Sequence, residues 1–326
     1  ISGSSSSSWK PARRTVAVRK KAGPKQVGRP PGAAGDALLL DRFSRIDLET
    51  WKQLSESSEA YNVGLYYHLA KLRRLHHEAL VAALRAAEPR SLQLRRWNRI
   101  VDYQYSLEPL SVAGSLARGG RFNIGRDLDP RVFPPFPALY LGEDYETSYR
   151  EKFGAPSIAG AGGLTGADLS LRRPGSFASV VLEGEIQQLF DLTTPAALRP
   201  FARIISKFAI SAELVALAKH IGIKPPWLVT TPTKLRETLL APGWPGMPAQ
   251  FEVPANSQIF GRLLIEAGFE GILYPSSKGK GLCIAVFPEV LVNSESYVEL
   301  IDPAPAYLGH RRLDSITCQA LMKPGD

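Results

Sequence analysis

The stretch from Arg99 to Glu151 constrains this chain more than any other. Gly119-Gly120-Arg121-Phe122-Asn123 delivers an arginine on a backbone freed by two glycines, and Ala138-Leu139-Tyr140-Leu141-Gly142 reads as a short apolar strand. Glu143-Asp144-Tyr145-Glu146-Thr147-Ser148-Tyr149-Arg150-Glu151 then opens a helix. Such a strand, turn, strand, helix unit brings Arg121, Tyr140 and Glu151 towards one end. A lone helical glutamate is usually a solvated charge. Glu151 stands out because it follows a strand end that carries Tyr140, and sites are commonly built at such places.

Around this unit the pattern is of short β-like runs separated by turns and helices. Strands are expected at residues 99–103, 138–141, 179–183, 271–274 and 283–287. Helices are expected at 145–153, 195–201, 212–221, 233–239 and 257–267, with Gly154 and Gly268 placed as C-terminal caps. The elements do not alternate as regular βαβ units, so the expected class is α+β, a mixed sheet with surrounding helices. Ala159-Gly160-Ala161-Gly162-Gly163-Leu164-Thr165-Gly166 does not fit the dinucleotide fingerprint and follows no strand directly, so it reads as a surface loop.

Residues 37–97 read as helical. Between 64 and 85, Leu65, Leu69, Leu72, Leu75, Leu80 and Leu84 recur near the 3.6-residue period, with Lys71, Arg73 and Arg74 on another face. Pro89 ends the run, and a shorter helix is expected at 48–54. His76 and His77 point about 100° apart on a helix and do not form a metal-binding pair. His68 reads as a packing partner. This helical extension is expected to pack on the rest of the chain or on another subunit of a homo-oligomer.

Charge is concentrated before it. Residues 1–36 hold eight basic side chains against Asp36 alone, which accounts for most of the net charge of +9. Rich in Ser, Pro, Gly and Ala, this tail is expected to be disordered and, at most, to contact nucleic acid weakly and without sequence preference. Gly28-Arg29-Pro30-Pro31-Gly32 has the shape of a minor-groove hook, although a merely solubilising tail is the plainer reading. No run approaches the roughly 18 apolar residues that span a bilayer, which points to a cytoplasmic protein without membrane contact. Two cysteines, Cys283 and Cys318, are too few for a disulfide framework and read as buried thiols. The division expected is a tail at 1–36, a helical region at 37–97 and an α+β domain at 98–326.

The loop after the strand at 271–274, Pro275-Ser276-Ser277-Lys278-Gly279-Lys280-Gly281, combines hydroxyls, lysines and flexible backbone, which suits a phosphate-bearing ligand or an ordinary polar turn. Together with it, several ordered motifs resemble the RES domain: Arg99-Ile100-Val101, Tyr105, Gly119 to Asn123, Leu139 to Glu151, Phe190-Asp191-Leu192-Thr193 and Gly271 to Ser276. That family is named for its Arg, Glu and Ser and includes the toxins of RES-Xre toxin-antitoxin pairs. By resemblance Arg121, Glu151 and Ser276 are the three naming residues and the catalytic set, with Arg99, Tyr140 and Tyr105 as further positions of the NAD pocket. An insertion lies between Asn123 and Tyr140, Cys283 stands where the family carries asparagine, and the segment 199–254 is long enough to reshape the pocket rim.

The resemblance implies an ADP-ribosyltransferase-like fold that consumes NAD as substrate and requires no metal. The residue types suit breakage of the nicotinamide–ribose bond. A carboxylate, Glu151, stabilises an oxocarbenium-like ribose. An arginine fork at Arg121, shared with Arg99, holds pyrophosphate. Tyr140 offers a flat face and Ser276 a hydroxyl for ribose or phosphate. Water or inorganic phosphate as acceptor gives an NAD glycohydrolase or phosphorylase, and a protein side chain gives a mono-ADP-ribosyltransferase. Free NAD degradation is the favoured outcome, and it implies a restraining Xre-type antitoxin. The contrasting reading is a non-catalytic basic module that binds nucleic acid or protein. The joint presence of Arg121, Glu151 and Ser276 argues against it.

Overall fold

Apolar runs such as Gly271-Ile272-Leu273-Tyr274 and Cys283-Ile284-Ala285-Val286 lack polar alternation because their strands are covered on both faces. The computed structural model describes residues 45–154, 176–222, 228–303 and 308–323. The basic tail with its Gly28 to Gly32 run and the glycine-rich loop at 159–166 lie outside the described residues. Residues from Trp51 on belong to one compact unit, Trp51–Asp326.

Seven strands carry the fold: β1 (Arg90–Asp102), β2 (Leu139–Gly142), β3 (Phe177–Asp191), β4 (Gly271–Pro275), β5 (Leu282–Val286), β6 (Tyr297–Leu300) and β7 (Arg312–Leu313). They bond in the order β1-β2-β5-β4-β3-β6-β7, and β1 also pairs with β3, so the first five strands close on themselves. β3 and β4 run parallel, whereas the other pairs are antiparallel. The helices are α1 (Arg45–Leu75), α2 (His77–Arg85), α3 (Ala113–Arg118), α4 (Tyr145–Phe153), α5 (Arg199–Ile205), α6 (Ala212–His220), α7 (Pro232–Leu239), α8 (Gly246–Phe251), α9 (Asn256–Ala267) and α10 (Cys318–Leu321). The class is α+β, as the irregular order of elements implies.

The sheet separates two apolar layers. Tyr274, Cys283 and Ala285 face a layer built with Phe122, Phe190 and Phe260, into which α2, α5, α7 and α9 pack. Leu139, Leu141, Leu273 and Ile284 face the other, with Leu94, Trp97 and the short α10. At the junction of β3, β4 and β6, buried Glu270 accepts hydrogen bonds from the amides of Gln187 and Gln188 and the hydroxyls of Ser294 and Ser296. Four donors satisfy a charge that would otherwise be costly to bury.

Four expectations about elements are corrected. Residues 90–97 are the first half of β1, not helix: Leu92 and Leu94 alternate with Ser91, Gln93 and Arg95 at a period of two, and the strand pairs with β3. A bulge between Leu94 and Trp97, with Arg96 at φ +56°, bends this long strand. The expected helix at 48–54 is part of α1, and the helix at 64–85 breaks at His76, whose ring stacks on Phe208. The helix at 195–201 is a 3-10 turn followed by α5. His68 Nε2 lies 2.7 Å from the Ala209 carbonyl, as a packing histidine would.

The element that positions the site is α4. Asp144 caps it by accepting from the Thr147 amide at 2.7 Å, and Gly154 closes it at φ +91°. Ser148 Oγ donates to the Asn98 carbonyl at 2.8 Å and Lys152 pairs with Asp102 at 2.8 Å, so two successive turns of α4 are tied to β1.

Candidate active site

A cleft of about 490 Å³ opens between the ends of β1, β2 and β4, the loop before Asn123, α4 and the connection from α7 to α8. Arg99, Tyr105, Arg121, Tyr140 and Glu151 all line it. Ser276 does not; its neighbour Ser277 does.

Glu151 is held from the loop after β4. Its Oε1 accepts from Ser276 Oγ at 2.5 Å and from the Ser277 amide at 2.9 Å. Lys278 Nζ donates to the Glu151 backbone carbonyl at 2.7 Å, and the Lys278 amide donates to Ser276 Oγ at 3.1 Å. One carboxylate oxygen is thus fixed by two donors, while Oε2 has no hydrogen-bond partner among the described residues. Ser276 therefore stands behind the carboxylate.

Arg121 is buried, and its two outer nitrogens meet different segments of the chain. Nη2 donates to Ser277 Oγ and Nη1 to the Ala241 carbonyl, each at 2.9 Å. Of the five N–H donors of a guanidinium, these bonds use two. The turn that presents Arg121 depends on its glycines. Gly119 sits at φ +65°, and a Cβ on Gly120 would collide with the Tyr140 hydroxyl.

Tyr140 presents its ring to the cleft, but its hydroxyl is engaged in the fold. It donates to Asn123 Oδ1 at 2.8 Å and accepts from the Phe122 amide at 2.9 Å, and burial pushes its pKa up. Asn123 in turn donates to the carbonyls of Ser115 and Phe136. Tyr140 thereby clamps the Gly120 to Asn123 turn onto β2. Phenylalanine here is expected to cost about 1–3 kcal/mol of stability, because the buried Phe122 amide and Asn123 oxygen lose their partner. Thermal unfolding of Tyr140→Phe checks this.

Arg99 serves the fold in a similar way. Its Nη atoms donate to the carbonyls of Ser111 (2.8 Å) and Tyr140 (3.4 Å), its Nε is buried without a partner, and burial pushes its pKa down to about 10. Tyr105 occupies a 3-10 turn after β1 with its ring beside Gly114. Cys283 is part of the cleft floor, where burial, and then the Glu151 charge, push its thiol upward and away from nucleophilic thiolate character. Among the described residues no group of three or more His, Cys, Asp or Glu side chains stands where it could hold a metal ion. No helix there is long and apolar enough to cross a membrane.

A family model described as the RES domain matches residues 94–304, well over half of the chain. The chain belongs to the RES domain family. No curated protein matches it. A crystal structure of the M. tuberculosis MbcT-MbcA toxin-antitoxin complex is similar at 18% identity and a TM-score of 0.37, covering 75% of this chain and 97% of that one.

Within this RES domain, three features of the cleft escape sequence reasoning. Ser277, adjacent to the singled-out Ser276, is the serine that meets Arg121, and no pattern distinguishes neighbouring hydroxyls in a loop. The length of the 199–254 segment points to the rim, but not to the two features it supplies there, the Ala241 carbonyl and the Pro242-Gly243-Trp244-Pro245 turn. The available signal was a lone tryptophan punctuated on both sides by proline and glycine, a residue too large to leave in a turn without purpose.

Proposed function

We propose that this RES domain degrades NAD by breaking the nicotinamide–ribose bond, with water or inorganic phosphate as acceptor. The observation that carries the reading is one connected set of side chains in one cleft. It comprises a carboxylate with an uncommitted oxygen at Glu151, Ser277 bonded to it, and the Arg121 fork bonded to Ser277.

The chemistry follows from those groups. The glycosidic C–N bond breaks with its electron pair leaving on neutral nicotinamide, and positive charge develops at the ribose C1 carbon and ring oxygen. Glu151 Oε2, anionic and held beside that charge, stabilises it more than it stabilises bound NAD, which is what accelerates a reaction. Three N–H groups of Arg121 remain to receive pyrophosphate oxygens in charge-assisted bonds. The acceptor then adds to C1 and releases its proton to solvent. Tyr140 and Tyr105 flank the site with aromatic surface, and Arg99 holds the wall from which Tyr140 projects. Ser276 acts here as a positioning residue that aims the carboxylate. Ser276→Ala is expected to lower kcat on the order of tenfold or more with little change in KM, since it loosens the reacting group and leaves the binding fork intact. Steady-state kinetics on NAD separate the two constants.

RES family membership also supports reading this chain as a toxin restrained by an Xre-type antitoxin. The decisive test follows nicotinamide release from NAD by the purified protein, freed of any co-purified partner, with and without inorganic phosphate. ADP-ribose as product identifies water as acceptor, and its 1-phosphate identifies phosphate. Absence of nicotinamide under both conditions overturns free NAD as substrate. Label transferred from NAD to protein would identify a mono-ADP-ribosyltransferase instead.

A further inference from the structure

Outside the groups already used, the most suggestive part of the cleft is the rim supplied by the connection between α7 and α8. Trp244 is half-buried there and lines the cleft between Pro242 and Pro245. The turn is not loosely attached. The Ala241 carbonyl accepts both from Arg121 Nη1, at 2.9 Å, and from the Trp244 amide, at 3.4 Å. The α8 helix starts directly after it, with the Ala249 amide donating to the Pro245 carbonyl at 3.1 Å. Two prolines and these bonds restrict the backbone that carries the indole.

One run of hydrogen bonds connects the groups of the cleft. Glu151 is bonded to Ser277, Ser277 to Nη2 of Arg121, Nη1 to Ala241, and the Ala241 turn carries Trp244. Followed along these bonds, the carboxylate comes first, the guanidinium fork second and the turn that bears the indole last. A dinucleotide has the same order of chemistry: a glycosidic bond to be broken, a pyrophosphate, and a second nucleoside whose base presents a flat π-face. With the scissile ribose at Glu151 and the pyrophosphate at Arg121, the second base extends towards the Ala241 turn. We infer that Trp244 is the stacking platform for the adenine of NAD, a specificity determinant contributed by this chain's long 199–254 segment. Aromatic stacking suits that task because it needs no particular pattern of donors and acceptors on the base.

This inference rests on the NAD reading of the cleft, and its test separates the two. Trp244→Ala is expected to raise the KM for NAD on the order of tenfold, the scale of one lost base–aromatic stack. The KM for nicotinamide mononucleotide, which keeps the reacting ribose and one phosphate but has no adenine, is expected to change far less. Trp244→Phe, which restores a flat ring, is expected to recover most of the loss. Equal increases for both substrates, or no increase for NAD in an active enzyme, overturn the inference. Independently of turnover, AMP is expected to quench tryptophan fluorescence in the wild type and much less in Trp244→Phe. If the wild type does not turn over NAD but shows that quenching difference, the reaction assignment falls and the platform stands. If it turns over NAD and the difference is absent, the platform alone falls.

Discussion

Glutamine in place of Glu151 is expected to lower the kcat for NAD on the order of a hundredfold or more while leaving the fold and the KM close to wild type. The substitution is informative because of how the carboxylate is held. An amide oxygen placed where Oε1 sits still accepts from Ser276 Oγ and the Ser277 amide, so the α4 contact with the loop after β4 survives. What disappears, in the proposed reaction, is the negative charge beside the developing oxocarbenium ion. An effect on kcat with KM unchanged is the signature of an interaction made in the transition state and absent from the ground state. Measurement of nicotinamide release and thermal unfolding on the same preparation checks both halves of the expectation. A variant that retained wild-type kcat would remove Glu151 from the mechanism, and one that unfolded would assign it to the fold.

The parts of this architecture that could be read from sequence are those set by neighbours along the chain. The α4 boundaries follow from Asp144 as cap and Gly154 as terminator, and the Gly268 ending of α9 follows from the same glycine signal. The apolar runs of β2, β4 and β5 were legible as strands, because a sheet covered on both faces leaves no polar residue to interrupt them. The first half of β1 was not. Only Pro89 separates it from a strong helical pattern, and its partner β3 lies far along the chain. The same distinction runs through the site. Arg121, Tyr140 and Glu151 belong to one contiguous unit, and they meet in the cleft. Which serine of the 276–277 pair lines that cleft, and that the Tyr140 hydroxyl is occupied by Phe122 and Asn123, depend on contacts between distant segments that no periodicity encodes. The closing side of the cleft comes from the connection between α7 and α8, more than a hundred residues after Arg121.

That distant contact makes Arg121 the second position of large effect. Lysine there retains the charge but has a single ammonium group in place of a planar fork. The native guanidinium bonds in two directions at once, to Ser277 Oγ and to the Ala241 carbonyl, and still has N–H groups for the substrate. An ammonium group reaching for the same three partners cannot meet them all from one nitrogen held at one point. Arg121→Lys is therefore expected to reduce kcat/KM on the order of tenfold to a hundredfold, corresponding to one or two charge-assisted hydrogen bonds. The loss should fall largely on KM, because a pyrophosphate held by Arg121 as proposed is bound in ground and transition states alike. Arg121→Ala should lose more, and should also loosen the α7–α8 connection, which loses its bond to the Gly119–Asn123 turn. Protease susceptibility of residues 240–246 reads that second effect separately from kinetics. A lysine variant with unchanged KM for NAD would show that the pyrophosphate lies elsewhere, and with it would fall the proposed orientation that sets the scissile ribose at Glu151 and the second base towards the Ala241 turn.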